Sequence, residues 1–568
     1  MRRQSAGRAR APGLVVLAFL AIALVYLLAL RLDPPDVDAA EYALIARQML
    51  ASRSFLVVHC RGWDYLDKPP LTFWLTALSY AVFGISNAAS KVPSLLAALV
   101  GWLSVGKLAS LDSGRRTGAL AALLFASCQA LFLITNDCRT DTVLLGAVAF
   151  SLWQARAYGK SGSARALLLT GLGTGLALLA KGPIGAVVPA FAVGSEIALR
   201  REWKRFLSPA PLAVGVIASV LLIPMLVGLH REFGIHGIAF FFWTQSFGRI
   251  TGSNAWHNHT DPLFFAHTLL WAFLPWSPMF VAALFAEARS LVKRRLRGEP
   301  GEGFAAGGFA LTFVALSLSH YKLPHYIFVA LPFVAVLTAR WLDRFLDAGS
   351  RRARTVLLIA QMLVIGALGG LAVWLTVRVF PLRHVVVGAA ATALFLAAMA
   401  AAWLARDARA RLVAPSLLAI LGANVVLAGH FYPRLLRYQS GSTAVRAARA
   451  EAIPLSQVAC FRKHPYSLDV ALERVPVEIH QLADLVRRVN ATPMWLYTDP
   501  KGLTDVEQLP VTVGREIALA DYPVTKLTTR FLDPATRPEV LTTAYLVHLT
   551  PAKDSTATAR HGVRPRSP

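Results

Sequence analysis

Residues 384–405 read HVVVGAAATALFLAAMAAAWLA, twenty-two positions without one Asp, Glu, Lys or Arg. As a helix rising about 1.5 Å per residue, such a run crosses roughly 30 Å of hydrocarbon. Comparable apolar stretches lie on either side of it, near 13–32, 90–110, 118–134, 141–157, 164–180, 184–199, 210–229, 264–288, 304–319, 326–342, 355–377 and 412–431, thirteen in all. They predict an α-helical polytopic membrane protein. The first stretch follows a basic start, but no small-residue cleavage site precedes Pro34 and Pro35, so it reads as an anchor rather than a removed signal peptide.

Composition agrees. Of 568 residues, 55% are apolar and 16% charged, where ordinary soluble domains carry about 25% charged residues. The formal net charge of +26 admits nucleic acid, a membrane surface or basic membrane loops as its cause, and position decides between them. With the N-terminus inside, the inner segments hold 26 Lys/Arg in 65 residues and the outer loops 11 in 110. That bias is the one that orients membrane proteins, so the charge belongs to topology and no nucleic-acid partner is expected. The same count makes Thr72 to Phe83 an outer-surface or re-entrant helix, since a span there would put Arg115 and Arg116 outside. Four cysteines in no CxxC pair exclude a disulfide scaffold or a structural zinc cluster.

Beyond Phe431 the chain turns polar, with 18 Lys/Arg and 13 Asp/Glu in 432–568. Short β-rich runs at Met494 to Tyr497 and Ala544 to Leu549, with a helical pattern at Glu478 to Val489, predict a small α/β domain over 432–551 on the outer side. The Arg/Pro-rich stretch 552–568 reads as a disordered tail. Residues 1–431 then form the transmembrane domain, with two outer loops, 33–89 and 230–262, too long to be mere connectors.

These loops concentrate the chemistry. The first holds Asp33, Asp36, Asp38 and Glu41 and then Tyr65-Leu66-Asp67-Lys68-Pro69-Pro70. Read blandly, the acids are a solvated helix start, where carboxylates are favoured, and Asp67 and Lys68 are an ion pair. Read functionally, the double proline holds Asp67 and Lys68 extended at the membrane surface. Asp141 opens an apolar span beside Arg139, and carboxylates at that depth face a cavity or a partner. In the second loop, His257-Asn258-His259 beside Asp261 suits a metal or a hydrogen-bonded turn. Lys181-Gly182-Pro183 and His320 to His325 complete one face, where Lys68, Lys181 or Lys322 suits an anionic lipid headgroup and Asp or His a metal.

The blocks Asp38-x-x-Glu41-Tyr42-Ala43, Tyr65-x-Asp67-Lys68-Pro69-Pro70 and Arg139-Thr140-Asp141, followed by Ala180-Lys181-Gly182-Pro183, Leu274-Pro275-Trp276 and Ser319-x-x-Lys322-Leu323-Pro324-x-Tyr326, resemble the bacterial polytopic type C glycosyltransferases. The nearest branch is the aminoarabinose lipid A transferase family, akin to the protein O-mannosyltransferases. The resemblance runs from about Asp33 to Arg340. It implies an enzyme of the bacterial inner membrane that moves a sugar from a polyprenyl-phosphate donor to lipid A, a glycan or a protein at the periplasmic face.

On that resemblance Asp38 and Asp141 are the catalytic candidates, Tyr65, Lys68, Glu41, Lys181 and Lys322 bind substrate, and Asp67 and His259 hold a divalent metal such as Zn, Mg or Mn. Two departures stand out: Asp67 replaces the branch's Glu, and Glu41 replaces its Arg, which reverses a charge near the sugar and points away from a cationic aminoarabinose donor. A secondary transporter or lipid flippase is the competing class, but it calls for charged sites near the bilayer midplane. The candidate groups here gather at one surface.

Overall fold

The computed structural model describes residues 2–248, 261–294 and 301–552. The chain forms two compact units, Met1–Leu32 with Ile45–Tyr432, and Asp33–Leu44 with Pro433–Pro568.

The first unit is helical. The apolar stretches fold mainly as helix, and among the described residues eight helices are long and apolar enough to cross a membrane. Two expectations are corrected. The stretch 118–134 breaks at Cys128, between α4 (Asn87–Ser127) and α5 (Gln129–Asn136). The stretch 264–288 breaks between Phe264–Ala272 and Ser277–Lys293, where Pro275 removes a backbone donor from the ladder.

Within α4 the chain turns back at Gly114, whose φ of 84° suits glycine. The two arms then pack antiparallel: a Cβ on Gly118 would lie 2.5 Å from the Gly106 carbonyl, and one on Gly101 3.0 Å from the Phe125 ring. Helix α6 (Thr140–Ser161) sits against α4 through Gly146, where a Cβ would fall 2.4 Å from the Ala97 carbonyl oxygen. Small residues at such contacts are what lipid-embedded helices use to approach closely. By contrast, Val385–Leu404 buries only Ala391 and Ala398 and leaves Trp403 81% exposed, a surface that suits acyl chains and not water. Helix α3 (Leu71–Phe83), at 13 residues, reaches about 20 Å and is too short to span.

At the predicted inner ends, buried charges tie five segments together. Arg156 on α6 donates to both oxygens of Asp112 at 2.7 and 2.9 Å and to Glu196 at 3.1 Å. Glu196, on α8 (Ile184–Arg200), also accepts the Gly301 and Phe304 amides at 3.0 and 2.8 Å. Arg340 closes the set on the Gly301 carbonyl at 2.8 Å. Arg156, Asp112 and Glu196 are each paired and hydrogen-bonded, the condition under which ions tolerate burial.

The second unit is a five-stranded sheet in the order β4 (Val477–Ile479), β3 (Val458–Phe461), β5 (Met494–Thr498), β7 (Thr542–Pro551), β6 (Val511–Asp521). Strand β3 pairs parallel with β4 and β5, and β7 runs antiparallel to β5 and β6. One apolar core lies under the helices Ser440–Ala450 and Tyr466–Leu472, a second under Leu482–Ala491 and Pro500–Glu507. The small α/β fold is as expected, with one correction: Glu478 is on a strand, and the helix starts at Leu482. Pro476 leads the chain in extended form, and Ile479 then buries against the sheet. The Asp33–Leu44 segment counts with this unit, so the division falls inside α2 (Asp38–Ser52).

Candidate functional site

In the first unit, three segments far apart in sequence meet around Asp141. This residue lies in the first turn of α6 and is 6% exposed. Lys181, the last residue of α7 (Ala164–Lys181), places Nζ 2.5 Å from Asp141 Oδ1. His325 Nε2 is 3.9 Å from Asp141 Oδ2, and its Nδ1 is 3.4 Å from Arg139 Nη1. Arg139 is in turn ion-paired with Asp137. The Lys181 ammonium also stands 4.7 Å over the Tyr326 ring, a cation–π contact that fixes it from the other side. Two predicted site residues, Asp141 and Lys181, are thus brought together and spend charge on each other. His325 was read only as part of a basic loop. The signal that finds it is tertiary, since nothing local joins positions 141, 181 and 325.

Cys138 makes the turn between α5 and α6, with φ of 49°, and sits 2.8 Å from the Ser90 carbonyl through Sγ. Burial pushes its thiol up to about 12, so it is an inert thiol. All four cysteines are buried, and none forms a disulfide.

Lys68 belongs to the same unit. Pro69 and Pro70 are buried, Pro70 caps α3, and Lys68 lines a small cavity with Tyr65, Met225, Gly228, Phe233 and Phe241. The Tyr65 ring packs edge-on against Phe73 at 5.8 Å. The Lys68 charge also reaches His325. Lys322 is 7% exposed in the segment before His325. A larger cleft of 810 Å³ lies between α6, α7, α8 and α9 (Ala210–Ala239), with walls mainly of apolar side chains. Leu222 and Phe242 line this cleft, while their near neighbours Met225 and Phe241 line the Lys68 cavity.

In the second unit, Asp38 is the first residue of α2 and half-buried, with Glu41 one turn on. Asp67 is exposed, and among the described residues no group of three His, Cys, Asp or Glu side chains is set to hold a metal. His259, its predicted co-ligand, lies outside the described residues.

Residues 67–227 match the family model of the dolichyl-phosphate-mannose-protein mannosyltransferases. The undecaprenyl phosphate-alpha-4-amino-4-deoxy-L-arabinose arabinosyl transferase of Edwardsiella ictaluri is 29% identical over 340 residues, 59% of this chain and 60% of that protein. The protein of the same name from Serratia proteamaculans is 30% identical over 295 residues, 49% and 51% of the two chains. The chain thus spans about half to three-fifths of the length of these relatives. The crystal structure of ArnT from Cupriavidus metallidurans bound to undecaprenyl phosphate superposes with a TM-score of 0.75 at 20% identity, covering 94% of this chain and 98% of the other. The chain is a multi-span membrane protein with the fold of the type C glycosyltransferases, and its sequence resembles the aminoarabinose transferase branch of that group.

Proposed function

We propose that the chain is a glycosyltransferase that takes a sugar from a polyprenyl-phosphate carrier and passes it to an envelope acceptor such as lipid A, at the periplasmic face of the bacterial inner membrane. The observation that carries the reading is a cleft of 810 Å³ with mainly apolar walls, which runs from Arg156, Glu196 and Arg205 to Leu222 and Phe242, near neighbours in the chain of Met225 and Phe241 in the Lys68 cavity. A polyprenyl phosphate is an amphiphile of that form, a long apolar chain ending in an anion. The chain is stabilised by leaving water or replacing lipid against apolar walls, and the phosphate by a lysine point charge.

In this reading Lys68 binds the carrier phosphate, with Tyr65 beside it. Asp38 is the carboxylate at the reaction centre, where it removes the proton of a hydroxyl acceptor. Asp141, paired with Lys181 and with His325 nearby, orients acceptor or sugar. Glu41 and Lys322 contact substrate. Purified protein in detergent, given radiolabelled polyprenyl-phosphate sugar, should release or transfer the label. A transporter or flippase would leave the donor intact.

Lys68→Ala removes a charge-assisted contact worth about 1.5–3 kcal/mol, so the donor KM should rise roughly 10- to 100-fold. The melting temperature should hold. Unchanged donor KM in a folded variant would return Lys68 to a structural ion pair.

Orientation is tested by single cysteines placed at exposed positions. Trp63→Cys and Arg487→Cys should label from the periplasm of intact cells, and Leu207→Cys only after the inner membrane is permeabilised; these side chains or residues are 79%, 80% and 89% exposed. Labelling of position 487 only after permeabilisation would overturn the outer placement of the C-terminal unit.

A further inference from the structure

The acids of the first loop, Asp33, Asp36, Asp38 and Glu41, look alike in sequence. The structure separates them. Asp36 Oδ1 accepts the Ser467 amide at 2.8 Å, and Oδ2 accepts the Ser467 hydroxyl. The Asp36 amide donates to Gln439 Oε1 at 2.9 Å, and Gln439 Nε2 donates to the Pro34 carbonyl at 3.2 Å. Asp33 is paired with Arg446 at 2.5 Å. Ser467 and Gln439 are 2% and 3% exposed. Backbone and side chain of Pro34–Asp36 are therefore both fastened, and by buried groups.

Ser467 is the second residue of the helix Tyr466–Leu472, whose own cap position is Pro465 and offers no side-chain hydrogen bond. The first amides of a helix lack partners, and a carboxylate is their preferred acceptor. Asp36 supplies that cap from 431 positions away. The helix turn is itself braced. His464 Nε2 is 2.6 Å from Asp469 Oδ1, and Nδ1 is 3.0 Å from Glu478 Oε2. Gly441 lets Ser440–Ala450 approach from the other side, since a Cβ there would lie 2.5 Å from Ser467 Oγ and 2.7 Å from the Leu468 amide.

The latch passes directly into α2. The Ala40 amide donates to the Pro35 carbonyl at 3.2 Å and the Glu41 amide to the Val37 carbonyl at 3.0 Å. Asp38 stands between these bonds, two residues from the fastened carboxylate. We infer that Asp36 is a latch acid, and that Ser467 and Gln439 of the C-terminal unit are positioning residues that set the location of the Asp38 carboxylate. The inference rests on the proposal that Asp38 acts at the reaction centre. It gives the C-terminal unit a part in turnover, because misplacing a reacting group by about 1 Å can cost on the order of 10²-fold in rate.

The test uses the full chain in detergent, with Ser467→Ala, the rescue variant Ser467→Thr, and Gly441→Ala, which keeps every latch residue but crowds the Ser467 turn. Amide hydrogen exchange reads peptides within 33–41, and steady-state kinetics read kcat and donor KM. Ser467→Ala and Gly441→Ala should each raise exchange in 33–41 about tenfold, with exchange on β3, β5 and β7 unchanged. In both, kcat should fall roughly 10- to 100-fold while donor KM stays within about twofold, and Ser467→Thr should recover both readouts. Exchange in 33–41 that does not move overturns the latch, and raised exchange with wild-type kcat overturns its role in positioning. If the wild-type protein transfers no sugar, the proposed function falls, and the exchange measurements still decide the latch.

Discussion

Asp38→Asn should lower transfer by about 10²- to 10⁴-fold with the fold intact. The substitution keeps the shape of the side chain and, at the start of α2, keeps a residue type that helix starts accept, so stability should change little. What it removes is the charge. Attack by a hydroxyl acceptor requires a base on the attacking side, and a neutral amide cannot take that proton. The loss corresponds to roughly 2.7–5.5 kcal/mol of transition-state stabilisation. With a hydroxyl acceptor it should appear mainly in kcat. With a phosphate acceptor, already anionic, Asp38 would hold the sugar instead and the loss should shift toward KM. Wild-type turnover in purified, folded Asp38→Asn protein would defeat the assignment.

The largest stability effect is expected far from that residue. Arg156→Ala leaves Asp112 and Glu196, 11% and 6% exposed, with their principal shared cation gone. Removing one partner of a buried ion pair costs about 3–5 kcal/mol, because the remaining charge is stranded in a poor dielectric. Here one arginine serves two acids, and Glu196 also holds the Gly301 and Phe304 amides, so the defect should spread to the segment that enters Gly308–Ser317. Lys160→Ala is the control: Lys160 touches the same Asp112 at 3.3 Å but is 43% exposed, and such pairs contribute at most about 1 kcal/mol. Thermal melting in detergent should place Arg156→Ala well below Lys160→Ala. Equal melting temperatures would show that the buried network is not what ties these helices together.

Some of this was legible in the chain and some was not. Residues 384–405 announce a helix without help from the rest of the protein, and Met494 to Tyr497 announces a strand. The inner and outer loops separate on Lys/Arg counts alone. The breaks at Cys128 and around Pro275 were harder to see. Apolar character runs straight through them, and hydropathy does not register a lost backbone donor. Glu478 was misplaced for a related reason. A charged residue at helical spacing from Val489 also fits the exposed side of a short parallel strand, and only pairing with β3 distinguishes the two.

Among the site residues, the resemblance named Asp38, Lys68, Asp141 and Lys181, but not what each one touches. Lys181 reads as a cation for a lipid phosphate, and the structure shows it on Asp141 and over Tyr326. Asp36 reads as one more acid at a helix start, and the structure shows it capping a different helix.

Local runs of residues are enough to specify that this chain crosses a membrane many times and ends in a small α/β unit. Helices in hydrocarbon must satisfy their backbone bonds within the segment, so each span is specified by its own run of residues. That Asp141, Lys181 and His325 share one cluster, and that Ser467 fastens the loop before Asp38, comes from packing between distant segments. Those pairings depend on how closely helices and turns approach, through small residues such as Gly146 and Gly441, and no periodicity along the chain records that distance.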